Sequence, residues 1–339
     1  MRVTSRSVSL AIAVLALVVT PGNLGLSEGK IKITPSANIA EGPAILWRAP
    51  VDLATRDLYY GPGGKPHEPR STLTFISEDA SGACSKFEAV DQEGVHWKVK
   101  LGIEARPETA VSRLLWAAGY FANEDYYLPE VRVDKLPHLH RGSQYVTSGA
   151  IVHGARLKRH LHDEKKIGAW AWGHNPFTGT REWNGLRALM ALVNNWDLKD
   201  VNNAVYQKTG ADPEQHYLVS DLGASLGTTG LNRALKGDLR SYEESKWINS
   251  VTGDRVDFNV PSPPPAGYFL VLPILVQRLD LVWIGRGIPR ADARWLGEQL
   301  ARLSPAQIRD AFRGAGYSSD QVERFSRVIE RRIRELEGL

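Results

Sequence analysis

The sequence predicts an α+β fold in two lobes, a β-rich first lobe and a mainly helical second one. Three observations carry this reading. Val95, Trp97, Val99 and Leu101 alternate with His96, Lys98 and Lys100, the period-two pattern of a half-buried strand. Between Glu182 and Asn195, Trp183, Leu186, Leu189 or Met190, and Val193 recur at helical spacing. Near the C-terminus, Ser304-Pro305-Ala306-Gln307 and Ser318-Ser319-Asp320-Gln321 are capping boxes, and Val322, Phe325, Ile329, Ile333 and Leu336 make one face of a last helix.

From the N-terminus, Arg2 and Arg6 precede a short apolar run, Ser9 to Val19, and Thr20-Pro21-Gly22 supplies small residues at cleavage positions. Residues 1–25 are therefore expected to be a secretory signal peptide, and the mature chain to be exported, periplasmic or secreted. The run is shorter than the roughly twenty apolar residues of a membrane span, so no stable span is expected after its removal. Residues 26–70 read as an extended lead broken by Pro35, Pro43, Pro50, Gly61-Pro62-Gly63-Gly64 and Pro66, with Trp47, Tyr59 and Tyr60 packing parts of it on the domain.

The first lobe is expected over residues 71–135 and the second over 136–339. Thr72 to Ile76 reads as a strand, Glu78 to Lys86 as a polar turn containing Gly82 and Cys84, and Phe87 to Val90 as the return strand. After the strand Val95–Leu101, Pro107 opens a helix at a position where its missing N–H costs nothing, and Gly119 closes it. Glu108 sits on the edge of the apolar stripe of Val111 and Leu115, where a carboxylate can reach a lysine on the neighbouring strand. The basic run Arg156-Leu157-Lys158-Arg159-His160 is expected to be a solvated helix face. His138 with His140, and His160 with His162, lack a third ligand at zinc-type spacing.

Further on, Ala204-Val205-Tyr206 and Tyr217-Leu218-Val219 read as two short strands joined by the turn Thr209-Gly210-Ala211-Asp212-Pro213. From Asp221 to about Ala266 the chain is rich in Gly, Thr and charge and ends in Pro261-Ser262-Pro263-Pro264-Pro265, either a substrate segment or a long surface loop. Tyr268 to Leu281 is apolar but holds Pro273, Arg278 and Asp280, so it reads as a core helix.

Between the helix and the hairpin stands Asn194-Asn195-Trp196-Asp197-Leu198-Lys199-Asp200-Val201-Asn202, and after the hairpin Ser220-Asp221-Leu222-Gly223. D-L-K-x-x-N followed by D-x-G suits phosphoryl transfer. One aspartate orients or deprotonates an acceptor hydroxyl, a nearby lysine meets the γ-phosphate, and an asparagine and a second aspartate hold Mg²⁺ against the phosphates. Asp197, Lys199, Asn202 and Asp221 fit those tasks in chain order. Upstream, Lys98 and Lys100 point the same way from one strand, and Glu108 follows on a helix. The small-residue turn at Gly82 is of the kind that brings backbone N–H groups over phosphates.

The run S-G-x-x-x-K-F, then W-K-V-K-L-G, P-E-T-A-x-S-R-L-L-W-A-A-G-Y, N-N-W-D-L-K-D-V-N-N and S-D-L-G resembles the atypical branch of the protein-kinase superfamily. It is similar to HipA-type kinases, to the spore-coat CotH kinases and, more distantly, to phosphatidylinositol kinases, over about Leu73 to Gly223. It departs from the wider superfamily in having no G-x-G-x-x-G and in carrying Asn195-Trp196 where His-Arg is usual. The resemblance implies a two-lobed protein-kinase-like fold that takes ATP and Mg²⁺. It implies Lys100, or else Lys98, as the α/β-phosphate lysine, Glu108 as its ion-pair partner, and Gly82 in the phosphate loop. Asp197 would face the acceptor, Lys199 the γ-phosphate, and Asn202 and Asp221 the metal. The implied partners are a nucleotide and an unidentified protein or small-molecule acceptor.

Composition narrows the reading. The 339 residues carry a formal net charge of +4, and loss of residues 1–25 removes two arginines and no acids, leaving +2. Such a balance excludes an electrostatic case for nucleic acid. Cys84 is the single cysteine, so no intrachain disulfide forms. Two function classes stay open: an ATP- and Mg²⁺-dependent phosphotransferase, and a secreted kinase-fold binding or scaffold protein that transfers nothing. AMP transfer would use the same residues.

Overall fold

Alternation along the first strands builds a six-stranded sheet whose inner face is apolar. The structure, a computed structural model, describes residues 42–82, 84–228, 235–260 and 279–339. The expected signal peptide, the start of the lead, the proline run and most of the segment Tyr268–Leu281 lie outside the described residues.

A short strand β1 (Ala44–Ile45) is followed by β2 (Thr72–Glu78), β3 (Lys86–Asp91), β4 (His96–Leu101), β5 (Asp125–Asp134), β6 (Val146–Thr147) and β7 (Ile151–Arg159). The sheet order is β4-β3-β2-β5-β7-β6, and β4 also pairs with β7, so five of the strands close on themselves. Leu73, Phe87, Ala89, Trp97, Val99, Val131, Val133, Val152, Ala155 and Leu157 fill the interior. Burial of each large apolar side chain there contributes about 1.5–3 kcal/mol.

Two expectations are corrected by this sheet. The basic run at Arg156 is strand, not helix: Ala155 and Leu157 point into the barrel, and Arg156, on the other face, is 4 % exposed instead of solvated. Strand-rich structure also continues to Arg159 and does not stop at residue 135, because β7 pairs with both β4 and β5.

Helix α1 (Ala105–Ala117) follows β4. It begins two residues before Pro107, which still falls in the first turn, where backbone N–H groups have no intrahelical acceptor. Gly119 closes it at φ +95°, and a Cβ there would lie 2.5 Å from the Arg48 carbonyl oxygen, so both backbone conformation and space demand glycine.

The second part of the chain holds β8 (Glu164–Gly168), α2 (Arg181–Leu192), β9 (Asn203–Lys208) and β10 (Glu214–Val219), with a sheet in the order β1-β10-β9-β8. Thr180 caps α2 by accepting the Trp183 N–H. A short helix α3 (Leu239–Glu244) and strands β11 (Ile248–Thr252) and β12 (Arg255–Phe258) occupy the region expected to be a substrate segment or loop, and β13 (Ile288–Pro289) joins the latter two. The chain ends in α4 (Arg290–Leu300), α5 (Pro305–Arg313) and α6 (Ser319–Glu337), with both capping boxes formed.

Leu186, Leu189 and Met190 of α2, Leu114 of α1, and Ile308, Phe312, Phe325, Ile329 and Ile333 share one helical core. The lead belongs to that core through Leu46, Leu53 and Leu58, while Trp47 meets Trp295 edge-on at 5.2 Å. The result is a mixed α and β architecture. Among the described residues no helix is long and apolar enough to cross a membrane.

Candidate active site

Strand parity puts Lys98 and Lys100 on the same face of β4, yet their surroundings differ. Lys100 is 5 % exposed, and its Nζ donates to Glu108 Oε2 at 2.7 Å, Glu104 Oε2 at 2.9 Å and Asp221 Oδ1 at 3.1 Å. Lys98 reaches Asp79 at 3.0 Å and Glu88 at 3.2 Å, both outside this cluster. The choice between the two lysines is made by what faces them.

Glu108, in the first turn of α1, uses its second oxygen to accept from Arg156 at 2.8 Å, and Arg156 lies 3.5 Å from the buried Asp125 carboxylate. Glu104, at the N-cap of α1, also accepts from Lys236. Lys100, Arg156 and Lys236 thus face Glu104, Glu108, Asp125 and Asp221, an excess of one negative charge. A lone buried ion costs several kcal/mol, so each member depends on its partners.

The electrostatics follow from burial and pairing. Burial lowers the Lys100 pKa, but Glu108, Asp221 and Glu104 outweigh it and hold the ammonium well above the ordinary lysine range. Burial alone would raise Glu104; Lys100 and Lys236 instead hold it down to about 2. Burial pushes the Glu108 carboxyl up against the pull of Arg156 and Lys100. With two cations within 2.8 Å of its oxygens, we regard Glu108 as ionised at neutral pH.

The loop after α2 is built from its ends. Asn194 takes φ +52°, which stops the helix, and its side-chain amide donates to the Gly227 carbonyl at 3.0 Å and Ser245 Oγ at 2.9 Å. Arg332, fully buried on α6, donates to the Leu192 carbonyl at 2.7 Å and to Asn194 Oδ1 at 3.0 Å, tying the last helix to the loop. Asn195 Oδ1 accepts the Asp197 N–H at 3.2 Å, and Asn202 Nδ2 donates to the Asp197 carbonyl at 2.7 Å. The N–H groups of Ser220 and Asp221 donate to the Asn202 carbonyl at 2.8 and 3.1 Å. Asp197 is therefore tied to Asn202 by a side-chain amide and Asn202 to Asp221 by a backbone hydrogen bond, and Lys199 Nζ lies 3.1 Å from Asp197 Oδ2.

Because Asn202 spends its Nδ2 on Asp197, its Oδ1 is the atom left to serve as a ligand. The Asp221 side chain is 41 % exposed, and an oxygen from it lies within 4.8 Å of oxygens of Glu104 and Glu108. The Lys100 ammonium already sits among these three carboxylates, so the oxygens left to a hard divalent cation are Asn202 Oδ1 and the Asp221 oxygen that Lys100 does not bond.

Gly82 lies exposed in the turn between β2 and β3 at φ +67°, and its carbonyl accepts from Arg141. Burial, with the nearby Glu104 carboxylate, pushes the Cys84 thiol up to about 12. A cavity of about 460 Å³ borders the site at the start of α1, lined by Arg106, Tyr127, Tyr145, Tyr317 and Lys236; it meets the ion network at Lys236 and is not lined by Asp197.

Sequence reasoning missed Glu104, Asp125, Arg156 and Lys236. Glu104 carried a signal, standing four residues after Lys100 and four before Glu108. Arg156 carried one in the apolar Ala155 and Leu157 on either side. Nothing local marked Asp125 or Lys236.

No family model matches the chain, and no curated protein matches it. Among solved structures it is similar to the proinflammatory kinase CtkA of Helicobacter pylori, at 10 % identity and a TM-score of 0.40, covering 80 % of this chain and 94 % of that one. It is also similar to the Golgi casein kinase with Mn/ADP bound, at 12 % identity and a TM-score of 0.30, covering 77 % of this chain and 73 % of that one. A second structure of the Golgi casein kinase aligns at 10 % identity and a TM-score of 0.30, covering 77 % and 72 %.

Proposed function

We propose that the protein is a two-lobed phosphotransferase of the atypical kinase type, taking ATP with Mg²⁺ and passing the terminal phosphoryl group to a hydroxyl of a protein or small-molecule acceptor. The observation that carries the reading is the meeting of Lys100 on β4, Glu108 on α1 and Asp221 after β10, residues up to 121 positions apart, in one set of contacts. Its closer affinity with HipA-type, CotH-type and phosphatidylinositol kinases rests on the N-x-D form of Asn195 to Asp197 and belongs to the same proposal.

In this reading Glu108, held by Arg156, fixes the Lys100 ammonium against the α/β-phosphates. Asn202 and Asp221 would hold the metal, which when bound neutralises charge on the phosphates. An Asp197 Oδ accepts the proton of the acceptor hydroxyl as the new O–P bond forms and the bridging oxygen leaves with ADP. Lys199, now paired with Asp197, turns to the transferred group and offsets its charge. Gly82 and its turn would cover the phosphates. The same proposal includes export through residues 1–25, which N-terminal sequencing of the protein from its native host would test.

The second reading, a kinase-fold binding or scaffold module, is favoured by the turn at Gly82, whose flanking Asp79 is engaged by Lys86 and Lys98. Calorimetry separates the two. Mg²⁺ and ATP at ten times the dissociation constant should stabilise the domain by about 1.4 kcal/mol. Asp221→Asn should abolish that gain and keep the fold. No heat with the wild type, or an equal gain in Asp221→Asn, would remove the phosphotransferase reading.

A further inference from the structure

Beyond Lys100, a second group of lysines lies along the same surface and takes no part in the network just described. Lys86 is the cross-strand partner of Lys100, and Lys158 that of Lys98, so all four project from one face of the barrel. That face meets β9 and β8: Lys158 Nζ donates to Tyr206 Oη at 2.8 Å, and Lys166 is the cross-strand partner of Tyr206. The charges are unequal in their compensation. Lys86 has Asp79, and Lys98 has Asp79 and Glu88. Among the described residues neither Lys158 nor Lys166 has a carboxylate partner. Lys166 is exposed at the edge of this face, and partial desolvation with the charges of Lys158, Lys98 and Lys86 holds it below the ordinary lysine value against the opposing effect of Tyr206.

Lys98 and its cross-strand partner Lys158 stand two residues along β4 and β7 from the level of Lys100 and Arg156, about 7 Å at the rise of a strand. One end of this line of cations lies at Lys100, beside Asp221, and the other at Lys158 and Lys166. A neutral base gains little from two uncompensated ammonium groups, whereas a phosphate gains charge-assisted hydrogen bonds from both.

We propose that Lys158 and Lys166, with the Tyr206 phenol, form an anion subsite, and that this face of the barrel takes a phosphate chain long enough to run from Lys100 to these two lysines. The proposal rests on the reading of the Lys100 and Asp221 end as a phosphate site.

Isothermal titration of the full mature chain at fixed ionic strength tests it, with long-chain inorganic polyphosphate, inorganic tripolyphosphate and Mg·ATP as separate probes. Long-chain polyphosphate should bind the wild type and weaken at least tenfold in Lys158→Gln/Lys166→Gln. It should weaken less than twofold in Lys135→Gln/Lys165→Gln, which removes equal charge from positions outside the cluster. Lys158→Arg/Lys166→Arg should retain binding and guards against a folding defect in the glutamine pair. No binding of long-chain polyphosphate, equal weakening in the two glutamine pairs, or loss in the arginine pair would overturn the subsite. Should Mg·ATP binding vanish in Asp221→Asn but long-chain polyphosphate ignore the loss of Lys158 and Lys166, the phosphotransferase reading survives and the subsite does not.

Discussion

Arg156→Met is the sharpest test of the ion network. Arg156 is 4 % exposed, Glu108 and Asp125 each 1 %, and neither Asp125 oxygen has a hydrogen bond among the described residues. Removing the guanidinium deletes the 2.8 Å bond to Glu108 and takes from the buried Asp125 carboxylate its ion-pair partner, leaving the buried Arg113, outside ion-pair distance, as a more distant neighbouring cation. Breaking a buried pair in this way costs about 3–5 kcal/mol, against about 0.5 kcal/mol or less for a solvated surface arginine. At about 2.1 cal/mol/K of unfolding entropy per residue, a domain of about 300 residues should lose roughly 5–8 °C in Tm. Urea unfolding followed by tryptophan fluorescence, with a thermal scan beside it, measures both. Asp125→Asn in the Arg156→Met background should recover about 1–3 kcal/mol, since the orphaned charge is gone and the two sites are coupled. A cost of about 0.5 kcal/mol or less, or strict additivity of the two substitutions, would refute the buried network.

Two further outcomes follow from the same contacts. Lys100→Met should lose the stabilisation by Mg·ATP while Lys98→Met keeps it in thermal-shift measurements, because only Lys100 faces both Glu108 and Asp221; equal loss in both would mean that the phosphate lysine is misassigned. Glu104, with a folded pKa of about 2 against an ordinary 4.5, lends stability that is complete above about pH 4.5 and disappears as pH falls toward 2, worth at most about 3 kcal/mol. The stability gap between wild type and Glu104→Gln should therefore shrink through that window in acid titrations, and a gap independent of pH would contradict the pairing with Lys100 and Lys236.

Much of the fold is local, and local patterns are what a sequence displays. The alternation from Val95 to Leu101, the helical spacing before Asn194, and the capping boxes at Ser304 and Ser318 each arise from neighbouring residues, and the corresponding elements form with boundaries shifted by a few positions. Order along the chain also placed Asp197, Asn202 and Asp221 around one loop and hairpin, because a hairpin returns the chain to where it left and the carbonyl of Asn202 then meets the N–H of Asp221.

Charge was the part that local pattern misread. Arg156 stands in a run of basic residues that reads as solvated helix, and only the approach of Glu108, 48 positions away, and Asp125 makes its burial tolerable. Lys98 and Lys100 are alike in sequence, and one is buried among three carboxylates because α1 and the Asp221 loop pack on its end of β4. Lys236 joins Glu104 across 132 residues. Whether a charged side chain is paired or solvated depends on which distant group is brought within a few ångströms of it, and that is decided by packing of the whole chain, not by the spacing of its neighbours.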